Sequence, residues 1–168
     1  MPDYSIRPLR KTELPAIVRL LIRIWQEQYH SFLPQAFLHN MDFDRQLQRH
    51  KSYVEKGASY LIAENQQEEL LGFCSFGENR DAFPASKWEL YTLYVAPEQQ
   101  RKGIGKSLID EMQKQFERGE EVAVWVMKAN PFRHFYEKRG FTLVGEKEVD
   151  FGDFEVAHWV MTFSIPDE

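Results

Sequence analysis

A glycine-containing segment in the second half of the chain has the composition of an anion-binding loop. It extends from Tyr94 to Ser107 and joins a run of aromatic and aliphatic residues to an amphipathic stretch with helical spacing. In a strand–loop–helix of this kind, several backbone N–H groups and the positive end of the helix dipole point at one place. Three basic side chains lie in the same segment: Arg101, Lys102 and Lys106. The segment therefore predicts a site for a phosphate or a pyrophosphate.

Two common nucleotide-binding motifs do not fit this loop. The motif Gly-x-x-x-x-Gly-Lys-Ser of nucleoside triphosphatases needs a glycine where this chain has Gln100. A dinucleotide fingerprint that starts at Gly103 needs a glycine or an alanine where this chain has Leu108. The sequence argues against both kinds of nucleotide site.

A third pattern does fit, and it resembles the GNAT superfamily of N-acetyltransferases. Gln100–Gly105 has the order Gln-Arg-Lys-Gly-Ile-Gly, which matches the acetyl-CoA loop Arg/Gln-x-x-Gly-x-Gly/Ala of that family and follows Leu93–Pro97. A later segment, Asn130–Phe141, is similar to the family pattern Asn-Pro…Phe-Tyr-Glu…Gly-Phe. The resemblance covers residues 59–163 and implies an acetyltransferase that uses acetyl-CoA and needs no metal.

The resemblance also implies which residues bind the donor. The backbone of the strand before the loop would pair with the pantetheine arm through Leu93, Tyr94 and Val95, and Asn130 would contact the same arm. The loop and the first turn of the helix would hold the pyrophosphate, through Gln100, Arg101, Lys102, Gly103, Ile104, Gly105 and Lys106.

Acetyl transfer to an amine also requires proton transfers. An alkylamine has a pKa of about 10.4, so at neutral pH it is almost entirely the non-nucleophilic cation. Glu89 is the candidate base, because it lies six residues before Val95 and strand alternation places both on one face. Tyr136 matches the tyrosine that acts as general acid in the family, where it would protonate the departing CoA thiolate.

The acceptor is less defined by the sequence. Trp25 and Tyr29 lie four apart on one face of a predicted helix, where such pairs are commonly core residues, and they are the candidate acceptor-binding residues. Together with Trp88 and Tyr91, and with a net charge of −5, they favour a cationic amine such as a polyamine or an amino sugar. Peptide amino termini and lysine side chains remain open as acceptors.

Three alternatives stay open. The chain could be a non-catalytic acyl-CoA-binding module, its donor could carry an acyl group longer than acetyl, and it could be a monomer or a homodimer, since relatives in the family are often dimers. The net acidic charge argues against a nucleic-acid partner.

The elements that must position these residues follow from the hydrophobic pattern. The first predicted helix has an apolar stripe from Leu14 to Trp25 and follows Thr12 as its N-cap. The other predicted helices are Asp42–Glu55, Ile104–Phe116 and Asn130–Arg139. Predicted strands are Tyr4–Leu9, Tyr60–Glu64, Leu70–Phe76, Lys87–Val95, Val122–Val126, Thr142–Val149 and Phe154–Phe163. The resemblance implies an α/β fold with a mixed, mostly antiparallel central sheet, flanked by helices on both faces.

Length and composition fit that fold. The 168 residues predict a single domain spanning residues 1–168, and 43% hydrophobic residues predict one sizeable core. The only cysteine, Cys74, lies in an apolar run and rules out an internal disulfide. No apolar run approaches the roughly 18 residues of a membrane span, and the amino terminus does not have the pattern of a secretory signal. We therefore expect a cytoplasmic protein with no membrane partner.

Overall fold

The computed structural model describes residues 2–167, and its strands form one seven-stranded sheet. The strands are β1 Tyr4–Pro8, β2 Ser59–Asn65, β3 Leu70–Glu78, β4 Trp88–Val95, β5 Glu121–Met127, β6 Thr142–Asp150 and β7 Glu155–Ser164. The helices are α1 Leu14–Gln28, α2 Gln35–His39, α3 Phe43–Glu55, α4 Ile104–Gln113 and α5 Arg133–Lys138. The strand order is β1-β2-β3-β4-β5-β7-β6. β4 and β5 run parallel, whereas β1–β2, β2–β3, β5–β7 and β6–β7 are antiparallel. The predicted mixed, mostly antiparallel α/β fold is confirmed.

The described residues group into two compact units. The first contains the residues up to Phe76 together with Thr92–Gln113, and the second contains Gly77–Tyr91 and the residues from Lys114 onward. β3 and β4 each contribute residues to both units. The expectation of a single domain over the whole chain stays a prediction.

The first unit is built on the hairpin of β2 and β3, which the sequence predicts correctly. Asn65 closes the turn, since its side-chain oxygen accepts the backbone N–H groups of Gln67 and Glu69 at 3.0 and 2.9 Å. α4 packs on β1 and β2, while α1 packs on α3. The buried apolar residues include Ile17, Phe73 and Leu108, each 0% exposed, so the predicted apolar stripes of α1 and α4 are both buried.

The second unit contains the parallel pair and the last hairpin. β5 lies between β4 and β7, and five of its seven residues are buried, which confirms the prediction of a strand with neighbours on both sides. β6 is an edge strand whose residues alternate between exposed and half-buried over most of its length. α5 packs against β6.

Some predicted boundaries differ from the structure. Thr12 is not an N-cap: it lies inside a 3₁₀ turn, Lys11–Glu13, and Glu13 accepts the backbone N–H of Arg10 at 2.8 Å. Asp42 is the N-cap of α3, where it accepts the N–H of Arg45 at 3.2 Å. The other differences are a helix α4 that ends at Gln113, a helix α5 that starts only at Arg133, and a short helix α2 that was not predicted.

A membrane-spanning helix is not found within residues 2–167, where no helix combines enough length with enough apolar character.

Candidate active site

The loop between β4 and α4 has a backbone shaped to present N–H groups. It passes through a 3₁₀ turn at Pro97–Gln99 and then takes two left-handed residues, Arg101 with φ 65° and Gly103 with φ 87°. Left-handed residues alternating with ordinary ones turn successive amide groups toward one concave side, which is a common anion-binding geometry. A left-handed arginine is unfavourable by about 1–2 kcal/mol, so the rest of the structure must stabilise this loop conformation by at least that much.

Helix α4 adds the N–H groups of its first turn. Its first intrahelical hydrogen bond runs from the N–H of Ser107 to the carbonyl of Gly103 at 3.0 Å. The preceding N–H groups, of Ile104, Gly105 and Lys106, have no acceptor within the helix. Ten residues of helix stand behind them, so the positive end of the helix dipole lies at the loop.

The charges around the loop are mostly positive. Arg101 and Lys102 are exposed, and the ammonium of Lys102 lies 3.4 Å from the side-chain oxygen of Gln99. Lys106 forms an exposed ion pair with Asp110 at 2.6 Å, one turn further along α4. A phosphate at this loop would meet cationic side chains that remain hydrated and movable.

The end of β4 is paired unequally on its two sides. Toward β5, the register contains only Trp88↔Val122, Glu89↔Ala123 and Leu90↔Val124, although β4 continues to Val95. Toward β3, the N–H of Ala96 still donates to the carbonyl of Leu71 at 2.8 Å. Leu93, Tyr94 and Val95 therefore lie in the part of β4 that is outside the β5 register.

Gly72 permits the close approach of β3 to this end of β4. A Cβ at this position would lie 2.7 Å from the carbonyl oxygen of Tyr94, a distance that real Cβ atoms do not tolerate. A glycine inside a predicted strand is the sequence signal for such an approach, and our sequence analysis did not use it.

The side chain of Gln100 is engaged inside the first unit. It donates to the carbonyl of Val95 at 3.0 Å and to the side-chain oxygen of Gln28 at 2.9 Å, and Gln28 donates back at 3.1 Å. Both amide hydrogens of Gln100 thus have acceptors in the protein. An anion could bind this side-chain amide only in place of one of these hydrogen bonds.

Trp25 and Tyr29 lie together in an aromatic cluster of the first unit. Their ring centroids are 5.0 Å apart, and Trp25 also lies 6.3 Å from Phe37. The indole N–H of Trp25 donates to the hydroxyl of Tyr94 at 3.0 Å, while burial raises the pKa of Tyr94 to about 12. Tyr29 is only 5% exposed, so of the two rings Trp25 offers more surface to a ligand.

Glu89, in the second unit, is buried and bound to Arg80. Its side chain is 1% exposed, and its two oxygens accept the guanidinium N–H groups of Arg80 at 2.7 and 3.2 Å. The backbone N–H of Arg80 adds a third hydrogen bond at 3.0 Å. These three hydrogen bonds fix the carboxylate in position and occupy three of its roughly four acceptor sites.

The aromatic rings of Trp88 and Tyr91 each already carry a cation of the chain. The guanidinium of Arg80 lies 4.1 Å from the ring centre of Tyr91, and the ammonium of Lys87 lies 5.1 Å from that of Trp88. One face of each ring is thus in contact with a cation of the chain, and the expectation that these two rings line a cationic acceptor stays a prediction.

Asn130 lies in the turn before α5, and Tyr136 lies within α5. The side-chain oxygen of Asn130 accepts the N–H of Phe132 at 2.9 Å, which forms the turn that leads into α5. Tyr136 is 9% exposed and makes edge contacts with Phe135 and Phe141, with ring centres 5.4 and 5.6 Å apart.

Within the part of the chain that the structure describes, no group of three or more histidine, cysteine, aspartate or glutamate side chains could hold a metal ion.

Comparison with known families gives one match over most of the chain. Residues 26–162 match the model of the acetyltransferase (GNAT) domain family.

Two curated relatives match over nearly the whole chain. The uncharacterized N-acetyltransferase YuaI of Bacillus subtilis is 27% identical over 158 residues, which cover 91% of this chain and 86% of the relative. The peptidyl-lysine N-acetyltransferase YiaC of Escherichia coli is 28% identical over 165 residues, which cover 95% of this chain and 97% of the relative.

Solved structures show the same fold. One is yncA, a putative acetyltransferase from Salmonella typhimurium solved with acetyl-CoA, which superposes with a TM-score of 0.68 at 18% identity. The superposition covers 99% of this chain and 96% of yncA.

Proposed function

Because the chain belongs to the acetyltransferase (GNAT) domain family, we propose that it transfers the acetyl group of acetyl-CoA to a primary amine. The observation that carries the proposal is the loop before α4, with its left-handed residues Arg101 and Gly103 at a helix N-terminus. Such a loop fits a pyrophosphate. The yncA structure was solved with acetyl-CoA, which supports the same donor here.

Donor binding would use two parts of the first unit. The N–H groups of the loop and of the first turn of α4 bind the pyrophosphate, and Arg101, Lys102 and Lys106 add positive charge. The backbone of Leu93–Val95, outside the β5 register, pairs with the pantetheine arm. Asn130 is the proposed further contact to that arm, through the side chain that forms the turn before α5.

The reaction joins the amine nitrogen to the acetyl carbon, breaks the carbon–sulfur bond and leaves CoA as a thiolate. Glu89 is the proposed proton acceptor for the amine, acting directly or through a water. Its hydrogen bonds to Arg80 hold the carboxylate in a fixed direction, so the amine must be brought to the carboxylate rather than the carboxylate moving to the amine.

Tyr136 is the proposed general acid. A thiol has a pKa of about 8.5, so a departing thiolate gains only modestly from a proton. Replacing Tyr136 by phenylalanine should therefore lower kcat by about 10- to 1000-fold, at or below the usual range for general acid–base catalysis. The packing of its ring between Phe135 and Phe141 is retained in that variant.

The acceptor is proposed to be a cationic amine, with a lysine side chain of a peptide as the first choice. YiaC, at 28% identity over nearly the full length, is named a peptidyl-lysine N-acetyltransferase. The net charge of −5 favours a positively charged partner. Trp25 is the proposed aromatic contact to the acceptor, and Tyr29 supports it from beneath.

The test is release of free thiol from acetyl-CoA in the presence of four acceptor types: a lysine-containing peptide with a blocked amino terminus, a peptide with a free amino terminus and no lysine, a polyamine and an amino sugar. Turnover with the lysine peptide supports the proposal in full. Turnover with another amine keeps the activity and changes the acceptor. Binding of CoA without turnover of any amine would identify a non-catalytic acyl-CoA-binding module instead.

A further inference from the structure

Gln28, the last residue of α1, contacts the first residue of the donor loop, Gln100–Gly105, through an amide pair. Its Nε2 donates to Oε1 of Gln100 at 3.1 Å, and Nε2 of Gln100 donates to Oε1 of Gln28 at 2.9 Å. Both side chains are half-buried. Paired amides of this kind satisfy one donor and one acceptor of each partner.

The second amide hydrogen of Gln100 determines which way its side-chain amide is oriented. It donates to the carbonyl of Val95 at 3.0 Å. A carbonyl oxygen can only accept, so the nitrogen of Gln100 must face Val95 and its oxygen must face the nitrogen of Gln28. The end of α1, the end of β4 and the start of the donor loop are thus joined at one side chain.

We infer that Gln28 is a positioning residue for acetyl-CoA binding, acting through Gln100. This inference rests on the proposed function. Gln100 directly precedes the left-handed Arg101, and it ties the loop back to Val95, where the β4 strand ends. A loop already held in its binding shape loses less conformational entropy when the ligand binds. Without Gln28, the amide of Gln100 loses two of its three hydrogen bonds and is free to leave Val95.

A matched control lies on the same helix. Gln26 also uses its side-chain amide, which donates to the carbonyl of Leu38 at 2.8 Å, away from the donor loop. Replacing either glutamine by alanine removes the same atoms from α1. Only the Gln28 change removes a bond to the loop.

The experiment is calorimetric titration of the full-length chain, wild type and variants, with CoA. Loss of two partly buried hydrogen bonds should raise the Kd of Gln28→Ala by about 5- to 30-fold. The Kd of Gln26→Ala should stay within about twofold of wild type. With an active amine, Gln28→Ala should raise the KM for acetyl-CoA by a similar factor, while kcat and the KM for the amine change little. A general loss of folding would not produce that split.

A charge-swapped pair provides the rescue. In Gln28→Glu combined with Gln100→Arg, the guanidinium can donate to the new carboxylate and still reach the carbonyl of Val95. The double variant should bind CoA more tightly than Gln28→Glu alone, in which the new carboxylate faces the side-chain oxygen of Gln100 with no donor between them.

The outcomes are separable. If wild type binds CoA and Gln28→Ala binds it equally well, or if Gln26→Ala weakens binding as much, the positioning role is wrong and the proposed function stands. If wild type does not bind CoA at all, the proposed function itself fails. Should Gln28→Ala not fold, the two single variants and the double variant decide the question by the same titration.

Discussion

Arg80 and Glu89 form a bidentate ion pair in which the side chain of Glu89 is buried and the side chain of Arg80 is 40% exposed. The guanidinium also lies against the ring of Tyr91, at 4.1 Å from its centre. A buried carboxylate bound in this way has two readings: it is a base held in a fixed direction, or it is an anchor for the segment that carries Arg80. The two readings predict different pH dependences.

Glu89→Gln distinguishes them. If Glu89 removes the proton of the amine, the variant should lose most activity at low pH, where few amine molecules are already neutral, and the loss should shrink toward pH 9. As an anchor alone, Glu89 would give a constant ratio of wild-type to variant kcat from pH 6 to 9 (a chosen assay range). In either case the lost ion pair should lower the free energy of unfolding by about 1–3 kcal/mol, measured by urea denaturation.

The donor loop gives a second prediction. Gly105→Glu places a carboxylate in the first turn of α4, where it should exclude the pyrophosphate and abolish CoA binding measured by calorimetry. Glutamate is favourable at a helix N-terminus and replaces a glycine, so the melting temperature should not fall. Gln48→Glu, which adds the same charge at an exposed position of α3, should bind CoA as wild type does. Unchanged CoA affinity in Gly105→Glu would refute the loop assignment.

The backbone conformation of the donor loop gives a third prediction. At Gly103 the cost of a side chain is conformational, because φ is 87° and an added Cβ would meet only the hydroxyl of Tyr4 at 3.7 Å. Gly103→Ala should lower the free energy of unfolding by about 1–2 kcal/mol. Arg101→Gly relieves the same kind of strain and should raise stability by about 1 kcal/mol, while it weakens CoA binding through the lost charge. Equal stabilities of the two variants in urea denaturation would contradict this account.

How well the sequence predicted each structural feature depends on how far apart in the chain the interacting residues lie. Periodicity and turn chemistry located the β2–β3 hairpin and the helix that starts near Asp42, because these depend on residues close together in the sequence. The five residues of α2 are too few to show a helical period. At the start of α1, a 3₁₀ turn at Lys11–Glu13 takes up Thr12 and puts Glu13 at the N-cap position, where its side chain makes no capping hydrogen bond.

The sequence predicted the loop of the candidate site, but it did not predict the side chains that hold the loop and Glu89 in place. The glycine spacing of Gln100–Gly105 indicated the donor loop directly. Gln28 is 72 residues away from Gln100, and a glutamine at a helix end carries no signal for such a partner. Arg80 is only nine residues from Glu89, but it lies in an irregular segment between two strands, where no period indicates which way a side chain points.

A buried histidine should make stability depend on pH. His50 is 2% exposed, its Nδ1 lies 2.5 Å from the hydroxyl of Tyr60, and Tyr53 packs against its ring. Burial, helped by the nearby charge of Arg49, lowers its pKa from 6.5 to about 4. Between these two values the unfolded chain binds a proton that the folded chain does not, so stability is full above pH 6.5 and falls as the pH drops toward 4.

The titration of His50 should lower the free energy of unfolding by roughly 3 kcal/mol at pH 4, relative to its value above pH 6.5. His50→Gln keeps a polar group for Tyr60 and removes the titration, so its unfolding free energy should decline less than that of wild type between pH 7 and 5. His134→Gln, at an exposed position of α5, should retain the wild-type slope. Parallel curves for wild type and His50→Gln would show that His50 does not titrate as described.

The single thiol should be silent in the folded protein, which matters for the thiol-release assay. Cys74 lies in β3 at 0% exposure, and burial raises its pKa to about 12, so almost no thiolate is present at pH 8. A disulfide reagent that reports thiols by colour should therefore detect none in the native chain and one per chain in guanidinium chloride. The signal during turnover then comes from CoA alone. Rapid reaction of the native protein would mean that β3 opens readily, and Cys74→Ser would then be needed as the assay background.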